Sequence, residues 1–166
     1  TLLLAIGLIP ENELSTRLRL RMNPATGGPV VTSNMETSLP GVFACGNVLH
    51  VHDIVDFVSE ESLRAGRFAA EVARGMRRPS DNISLQTGEN IASCVPQSLS
   101  PDREQILYLR VKRPIKDCTL TIGDRYEKHF RILIPSEMVR LTLAPDMLDR
   151  FFGENLRIDI WPKEVA

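Results

Sequence analysis

Ile106-Leu107-Tyr108-Leu109-Arg110-Val111, Cys118-Thr119-Leu120-Thr121-Ile122, Phe130-Arg131-Ile132-Leu133-Ile134, Val139-Arg140-Leu141-Thr142-Leu143 and Leu156-Arg157-Ile158-Asp159-Ile160-Trp161 decide the fold of the C-terminal half. Each run is short and apolar at alternate positions, so one face of a strand is oily and the other polar. Turn residues separate the runs at about 8–12 residues, the spacing of a β-sandwich or barrel. Residues 83–166 are therefore expected to form a small, mostly-β domain, with Pro145-Asp146-Met147-Leu148 starting one short helical turn. This half shows no catalytic constellation. His129 stands alone, and Lys112, Arg113 and Arg125 read as surface charges. Trp161 reads either as an interface anchor or, as for most such aromatics, as part of the core.

Moving toward the N-terminus, Arg77-Arg78-Pro79-Ser80-Asp81 is the natural linker, and residues 1–78 form a unit of mixed character. Asp53 is placed as the N-cap of a helix, with Asp56 in the first turn where negative charge suits the helix dipole. Val58, Ala65, Ala69, Val72 and Met76 recur at helical spacing, and Gly75 and Pro79 end the helix. Before it, Thr1 to Leu8 reads as a buried strand already under way, without an initiator Met, which suggests a piece of a longer protein. Arg17-Leu18-Arg19-Leu20-Arg21-Met22 alternates as a strand, Asn23 to Pro29 as a turn and Val30-Val31-Thr32 as the return strand. Val42-Phe43-Ala44-Cys45 reads as a short strand ending at Gly46-Asn47. The fold class expected is α+β.

Composition narrows the function. The chain has 166 residues, 43% of them hydrophobic and 25% charged, which is a globular composition. Twenty Lys and Arg face twenty-one Asp and Glu, so the basic excess of a phosphate-driven nucleic-acid binder is absent. No apolar run reaches the roughly 18–20 residues of a membrane span. Cys45, Cys94 and Cys118 are odd in number and far apart, which argues against a disulfide scaffold or a C-x-x-C pair and for a reducing, cytoplasmic setting.

Two segments carry a more specific signal. Ala5-Ile6-Gly7-Leu8-Ile9-Pro10-Glu11-Asn12 is followed, after Gly27-Gly28-Pro29-Val30-Val31, by Thr37-Ser38-Leu39-Pro40-Gly41-Val42-Phe43-Ala44-Cys45-Gly46-Asn47. In order and spacing they resemble the A/T-x-G-x-x-P-N segment and the second FAD motif, T-S-x-P-G-[VI]-[FY]-A-x-G-D, of thioredoxin reductase-like, pyridine nucleotide-disulfide flavoproteins. Gly46-Asn47-Val48-Leu49-His50-Val51-His52-Asp53 is most similar to FAD-dependent oxidoreductases associated with bacterial glycerol-3-phosphate dehydrogenase. The resemblance covers about residues 1–78. It implies the C-terminal segment of a Rossmann-like FAD-binding domain, with Gly7, Pro10, Gly46, Asn47, Val58 and Ser59 at the cofactor.

Within that resemblance, Gly46 lets the backbone approach the cofactor, since no Cβ intervenes. Asn47 stands where the family has Asp, and its amide oxygen still accepts a ribityl hydroxyl. The helix N-terminus near Val58-Ser59-Glu60 faces the flavin, where positive partial charge suits a reduced, anionic ring. The G-x-G-x-x-G turn and the NAD(P)H unit are absent from the 166 residues, and the family carries both upstream. The implied whole is hydride exchange between NAD(P)H and FAD, with a dehydrogenase subunit and a small electron carrier as partners and this segment inactive alone.

Other residues invite other readings. His50 and His52 point the same way on an extended chain, but no third ligand is visible and no metal is expected. Asp56, Glu60 and Glu61 read either as a solvated helix face or with Asp56 or Glu60 toward the flavin. Cys45 reads as a packed thiol. Arg17, Arg19 and Arg21 read as a solvated edge strand. A competing functional class is a non-catalytic β-rich binding or assembly module that docks partner subunits of a redox complex, with open strand edges at Leu2 to Leu8 and Val42 to Cys45 pairing two copies into a homodimer.

Overall fold

A computed structural model of the chain describes residues 2–3, 7–76, 81, 83–124, 126–151 and 155–163. Among the described residues the C-terminal half contains eight strands: β1 (Ile83–Thr87), β2 (Ile91–Val95), β3 (Ser98–Leu99), β4 (Gln105–Val111), β5 (Ile115–Ile122), β6 (Tyr126–Leu133), β7 (Val139–Leu143) and β8 (Asn155–Pro162). They form a five-stranded sheet, in the order β3-β1-β8-β5-β6, and a three-stranded sheet, in the order β2-β4-β7. β8 pairs in parallel with β1 and antiparallel with β5. One short helix, α3 (Pro145–Leu148), links β7 to β8.

Strand alternation builds the sandwich. Leu156, Ile158 and Ile160 of β8 and Cys118, Leu120 and Ile122 of β5 turn inward against Leu107, Leu109 and Val111 of β4 and Leu141 and Leu143 of β7. Each fully buried side chain of this size contributes about 1.5–3 kcal/mol. The β5–β6 connection passes through Gly123, where φ is +56° and a Cβ would lie 2.8 Å from the Phe151 ring, so only glycine fits. All five alternating runs of the sequence are strands, Pro145–Leu148 is helical, and the chain is mixed α and β with β predominating.

The three-stranded sheet is covered on both faces. Tyr108 alternates with Leu107 and Leu109, so it lies on the outer face, yet it is only 1% exposed. The cover is helix α2 (Val55–Ala73) and the segment leading into it. The Phe57 ring lies 5.5 Å from the Tyr108 ring, and Glu60 accepts hydrogen bonds from Tyr108 and Arg140. Arg110 of β4 donates to the Val51 carbonyl at 2.8 Å and to the Asp53 carboxylate.

A second clamp lies at Gln97. Its side-chain oxygen accepts from the Val31 N–H at 2.8 Å, its amide donates to the Cys94 carbonyl at 2.7 Å, and its backbone N–H donates to the Val31 carbonyl. Asp81 accepts from the Ser33 N–H and hydroxyl and from the Ser98 hydroxyl.

The first half departs from several expectations. No strand forms before Ile83 among the described residues, and no Rossmann segment is evident. Leu2, Leu3, Leu8 and Ile9 are exposed and unpaired, because no described strand lies beside them. The rest of that run, residues 4–6, falls outside the described residues. Arg17 to Met22 is not a strand. Glu11 accepts the Glu13 N–H and starts α1 (Glu13–Arg17), and Arg19 then turns the chain at φ +55°. Leu20 ends buried and Leu18 exposed, where a strand would have kept them on one face.

The Asn23–Pro29 turn is present, closed by Asn23 N–H to the Gly28 carbonyl, but its arms meet only at a Met22–Pro29 bridge. Val30 to Thr32 forms no return strand, and Val42 to Cys45 contributes a single bridge, Glu36–Phe43. Local turns and side-chain bonds satisfy this backbone instead of a ladder. The N-cap of α2 is Ile54, because the Asp53 carboxylate is drawn away by Arg110 and the Met138 N–H. The helix ends at Gly75, φ +76°, with Met76 N–H bonded to the Glu71 carbonyl, a Schellman-type stop. Pro79 and most of the proposed linker lie outside the described residues.

Candidate functional site

The loop between Ala44 and α2 carries the chemistry. Cys45 is extended, and Gly46 then adopts φ +69°, which favours glycine. One turn of 3₁₀ helix, Gly46–Val48, closes with Leu49 N–H on the Gly46 carbonyl at 2.9 Å. The chain then bends at His50 and runs on through Val51 to His52, and both imidazoles face Glu61.

α2 brings the third group. Glu61, Ala65 and Phe68 lie on one helical face, and all three are buried. Glu61 is 0% exposed. Its Oε1 lies 3.1 Å from His50 Nε2, and its Oε2 lies 3.2 Å from His52 Nε2. Oε2 also accepts the Gly46 N–H at 2.5 Å. The imidazole rings are 4.3 Å apart, and the Tyr108 ring walls the cluster at 5.8 Å from His50 and 5.6 Å from His52.

The electrostatics fix the charge states. Burial opposes ionisation of Glu61, but hydrogen bonds from both imidazoles hold its carboxyl below the usual carboxylate range. Burial lowers the pKa of His50 despite the pull of Glu61, so His50 is neutral at neutral pH. His52 Nδ1 is buried and has no hydrogen-bond partner.

The residues expected at a cofactor are placed unevenly. Gly46 and Val58 meet: a Cβ on Gly46 would touch Val58 Cγ1 at 3.4 Å. Asn47 is exposed beside them, and its Oδ1 accepts the His52 N–H at 3.1 Å. Ser59 is exposed on α2, and Pro10 is half-buried. Gly7 has φ +86° and open space around it, so it stands apart from Gly46.

The first motif is joined to the second through Asn12. Its amide donates to the Gly27 carbonyl and to the Val48 carbonyl, both at 2.9 Å. Gly28 packs on the same turn so closely that a Cβ would lie 2.1 Å from the Leu49 carbonyl oxygen.

Other expectations are corrected or filled in. Asp56 is exposed, but Glu60 is tied to Arg140 and Tyr108, and Glu61 is buried, so the three do not share a solvated face. His129 is paired: its Nδ1 lies 2.8 Å from Thr119 Oγ1 across β5 and β6. Cys45 is half-buried against the cluster of Val31, Met35, Ala44 and Leu49. Arg17, Arg19 and Arg21 are exposed but share no strand, and Trp161 is 56% exposed. Arg125 lies outside the described residues.

The sequence left Glu61 apart from the two histidines that the structure brings to it. The available signal was a carboxylate at the helical spacing of Ala65 and Phe68. Comparison with protein-family models, with curated proteins and with solved structures finds no match to this chain.

Proposed function

We propose that residues 1–78 are the C-terminal segment of the FAD-binding domain of a pyridine-nucleotide oxidoreductase, carrying the β-sandwich as an appended module. The observation that supports this reading is the convergence of the two motif-bearing segments. Asn12 bridges Gly27 and Val48, and Gly28 packs on the Val48–Leu49 carbonyls, so three stretches distant in sequence meet behind Gly46-Asn47.

The residues fit a flavin side chain at this turn. Asn47 is exposed, with a free NH2 to donate and a second lone pair on Oδ1 for a ribityl hydroxyl. FAD would supply hydride exchange with NAD(P)H. This chain's residues would position it: the Gly46 turn, pinned by Glu61, and the start of α2 beside Val58 and Ser59. In this reading the G-x-G-x-x-G turn and the NAD(P)H unit are supplied by upstream chain.

The same reading places the protein in the cytoplasm, with a glycerol-3-phosphate dehydrogenase-like subunit and an electron carrier as partners. The free thiols of Cys45, Cys94 and Cys118 agree with a reducing compartment. Among the described residues no helix is long and apolar enough to cross a membrane.

The test is flavin content. The full-length protein should purify with bound flavin, and Asn47→Ala should lower its occupancy. The 166-residue chain should retain none through gel filtration. A full-length protein that takes up no added FAD overturns the reading.

A second reading, an assembly module, is favoured by the exposure of Leu2, Leu3, Leu8, Ile9 and Trp161. It predicts a homodimer in sedimentation, and a clean monomer at high concentration removes it.

A further inference from the structure

His50, His52 and Glu61 present three ligand atoms that all lie within 4.8 Å of one another, on three buried side chains. The histidines come from the loop that leads into α2 and the carboxylate from the first half of α2, so the backbone frames the cluster from two sides. We propose that this cluster is a binding site for a first-row divalent transition ion, with Zn²⁺ the ion the donor set fits best. The proposal does not depend on the flavin reading.

Three arguments carry it. The first is spacing. Ligand atoms around a tetrahedral ion with bonds of about 2.0–2.1 Å stand about 3.3 Å apart. His50 Nε2 lies 3.1 Å from Oε1 and His52 Nε2 lies 3.2 Å from Oε2 of the same carboxylate, and one ligand atom from each residue falls within 4.8 Å of the others, a spread that small side-chain rotations close onto one ion.

The second is charge. Glu61 is fully buried, and among the described residues it meets two imidazoles and one backbone N–H but no Lys or Arg in hydrogen-bond contact. A buried carboxylate with no cation bonded to it is costly; Arg64, on the same helix, acts on Glu61 through space. A divalent ion places positive charge directly on the carboxylate.

The third is donor chemistry. Two imidazoles and one carboxylate suit zinc and its first-row neighbours, and they disfavour Mg²⁺ and Ca²⁺, which take oxygen donors. The Gly46 N–H on Oε2 then serves as the outer hydrogen bond that orients a ligating carboxylate. Three protein ligands leave a fourth position for water or a substrate atom.

The test uses the whole chain, stripped with EDTA and dialysed. Added Zn²⁺ should be retained at one ion per chain by elemental analysis and should raise the thermal midpoint. Co²⁺ should give the visible absorption of a tetrahedral site and should shift the imidazole resonances of His50 and His52 but not those of His129. His52→Gln and Glu61→Gln should each weaken Zn²⁺ binding at least tenfold, and Cys45→Ser should leave it intact.

Loss of binding in Cys45→Ser, with His52→Gln unaffected, overturns the proposal. So does a wild-type chain that retains no Zn²⁺ and shows no Co²⁺ spectrum, which leaves the cluster a hydrogen-bonded lock. The His50 and His52 resonances are read in the wild-type protein, so the proposal stays falsifiable even where a variant does not fold.

Discussion

Gly28→Ala and Gly66→Ala are the same chemical change with opposite expected signs. A Cβ on Gly28 lies 2.1 Å from the Leu49 carbonyl oxygen and 2.5 Å from that of Val48. Carbon–oxygen contacts ordinarily sit at about 3.3–3.6 Å, so the overlap is about 1 Å against two backbone groups that cannot rotate aside. The turn must move, and the bonds at risk are Asn23 N–H to Gly28 and the two from the Asn12 amide. Overpacking costs about 1–3 kcal/mol, and losing one of these hydrogen bonds adds about 1 kcal/mol, for a loss of about 2–4 kcal/mol. Gly66 lies within α2 with nothing within 4 Å of its Cβ position. Alanine there should gain about 0.5–1 kcal/mol, from helix propensity and a less flexible unfolded chain. Urea unfolding should show the two midpoints moving in opposite directions at unchanged slope. In heat, Gly28→Ala should lower the midpoint by about 10 °C, at about 2–4 °C per kcal/mol for a chain of this size. A Gly28→Ala protein within about 0.5 kcal/mol of wild type, the ordinary range of a surface change, would falsify the claim that the two motif segments are locked together there.

Three further outcomes follow from the packing between layers. Tyr108→Phe keeps the buried ring but removes the hydroxyl that donates to Glu60 at 2.5 Å. Because Arg140 still satisfies Glu60, the loss in urea unfolding should be about 1 kcal/mol, and a loss near zero removes that bond from the account. Gln97→Ala deletes the bonds to the Val31 N–H and the Cys94 carbonyl and should cost about 2 kcal/mol, with faster amide exchange at Val31 as the local signature. Burial pushes the Cys94 thiol from 9.0 up to about 12, so it stays protonated in the folded chain while an unfolded chain ionises above about 9. Native stability should therefore fall as pH rises from 9 toward 12, Cys94→Ala should flatten that decline, and alkylation of the native protein should reach Cys45 before Cys94.

The β half was legible because alternation is a local signal with a local cause. In β8, Leu156, Ile158 and Ile160 face the core and Arg157 faces outward, as the pattern requires. The first half was not, because its pattern asks for neighbours that are not there. Leu2 to Leu8 has the composition of a buried strand but no described strand to bury it. Arg17 to Met22 alternates, yet α1 takes its first residue and the positive φ of Arg19 breaks the rest. The site was half legible. His50 and His52 were visible as a pair, and Gly46 as a turn. Glu61 was hidden, since a glutamate on an amphipathic helix reads as solvent-facing until the fold sets an imidazole pair beneath it. Asp53 shows the converse: a good capping residue was claimed by Arg110, fifty-seven positions away.

The position of β8 has a consequence for biosynthesis. The last strand of the sandwich sits between β1 and β5, and Ser84 pairs with Asn155. Before β8 is made, the five-stranded sheet can form only as the β5–β6 hairpin and the β3–β1 pair, each with a bare inner edge, while the β2-β4-β7 sheet already has all its strands. The sheet becomes continuous when β8 clears the exit tunnel and inserts, a long-range closure of the kind that slows folding. A premature stop before Asn155 would therefore release two half-sheets with unpaired centres, a product destined for chaperones or proteases rather than a shortened but folded protein.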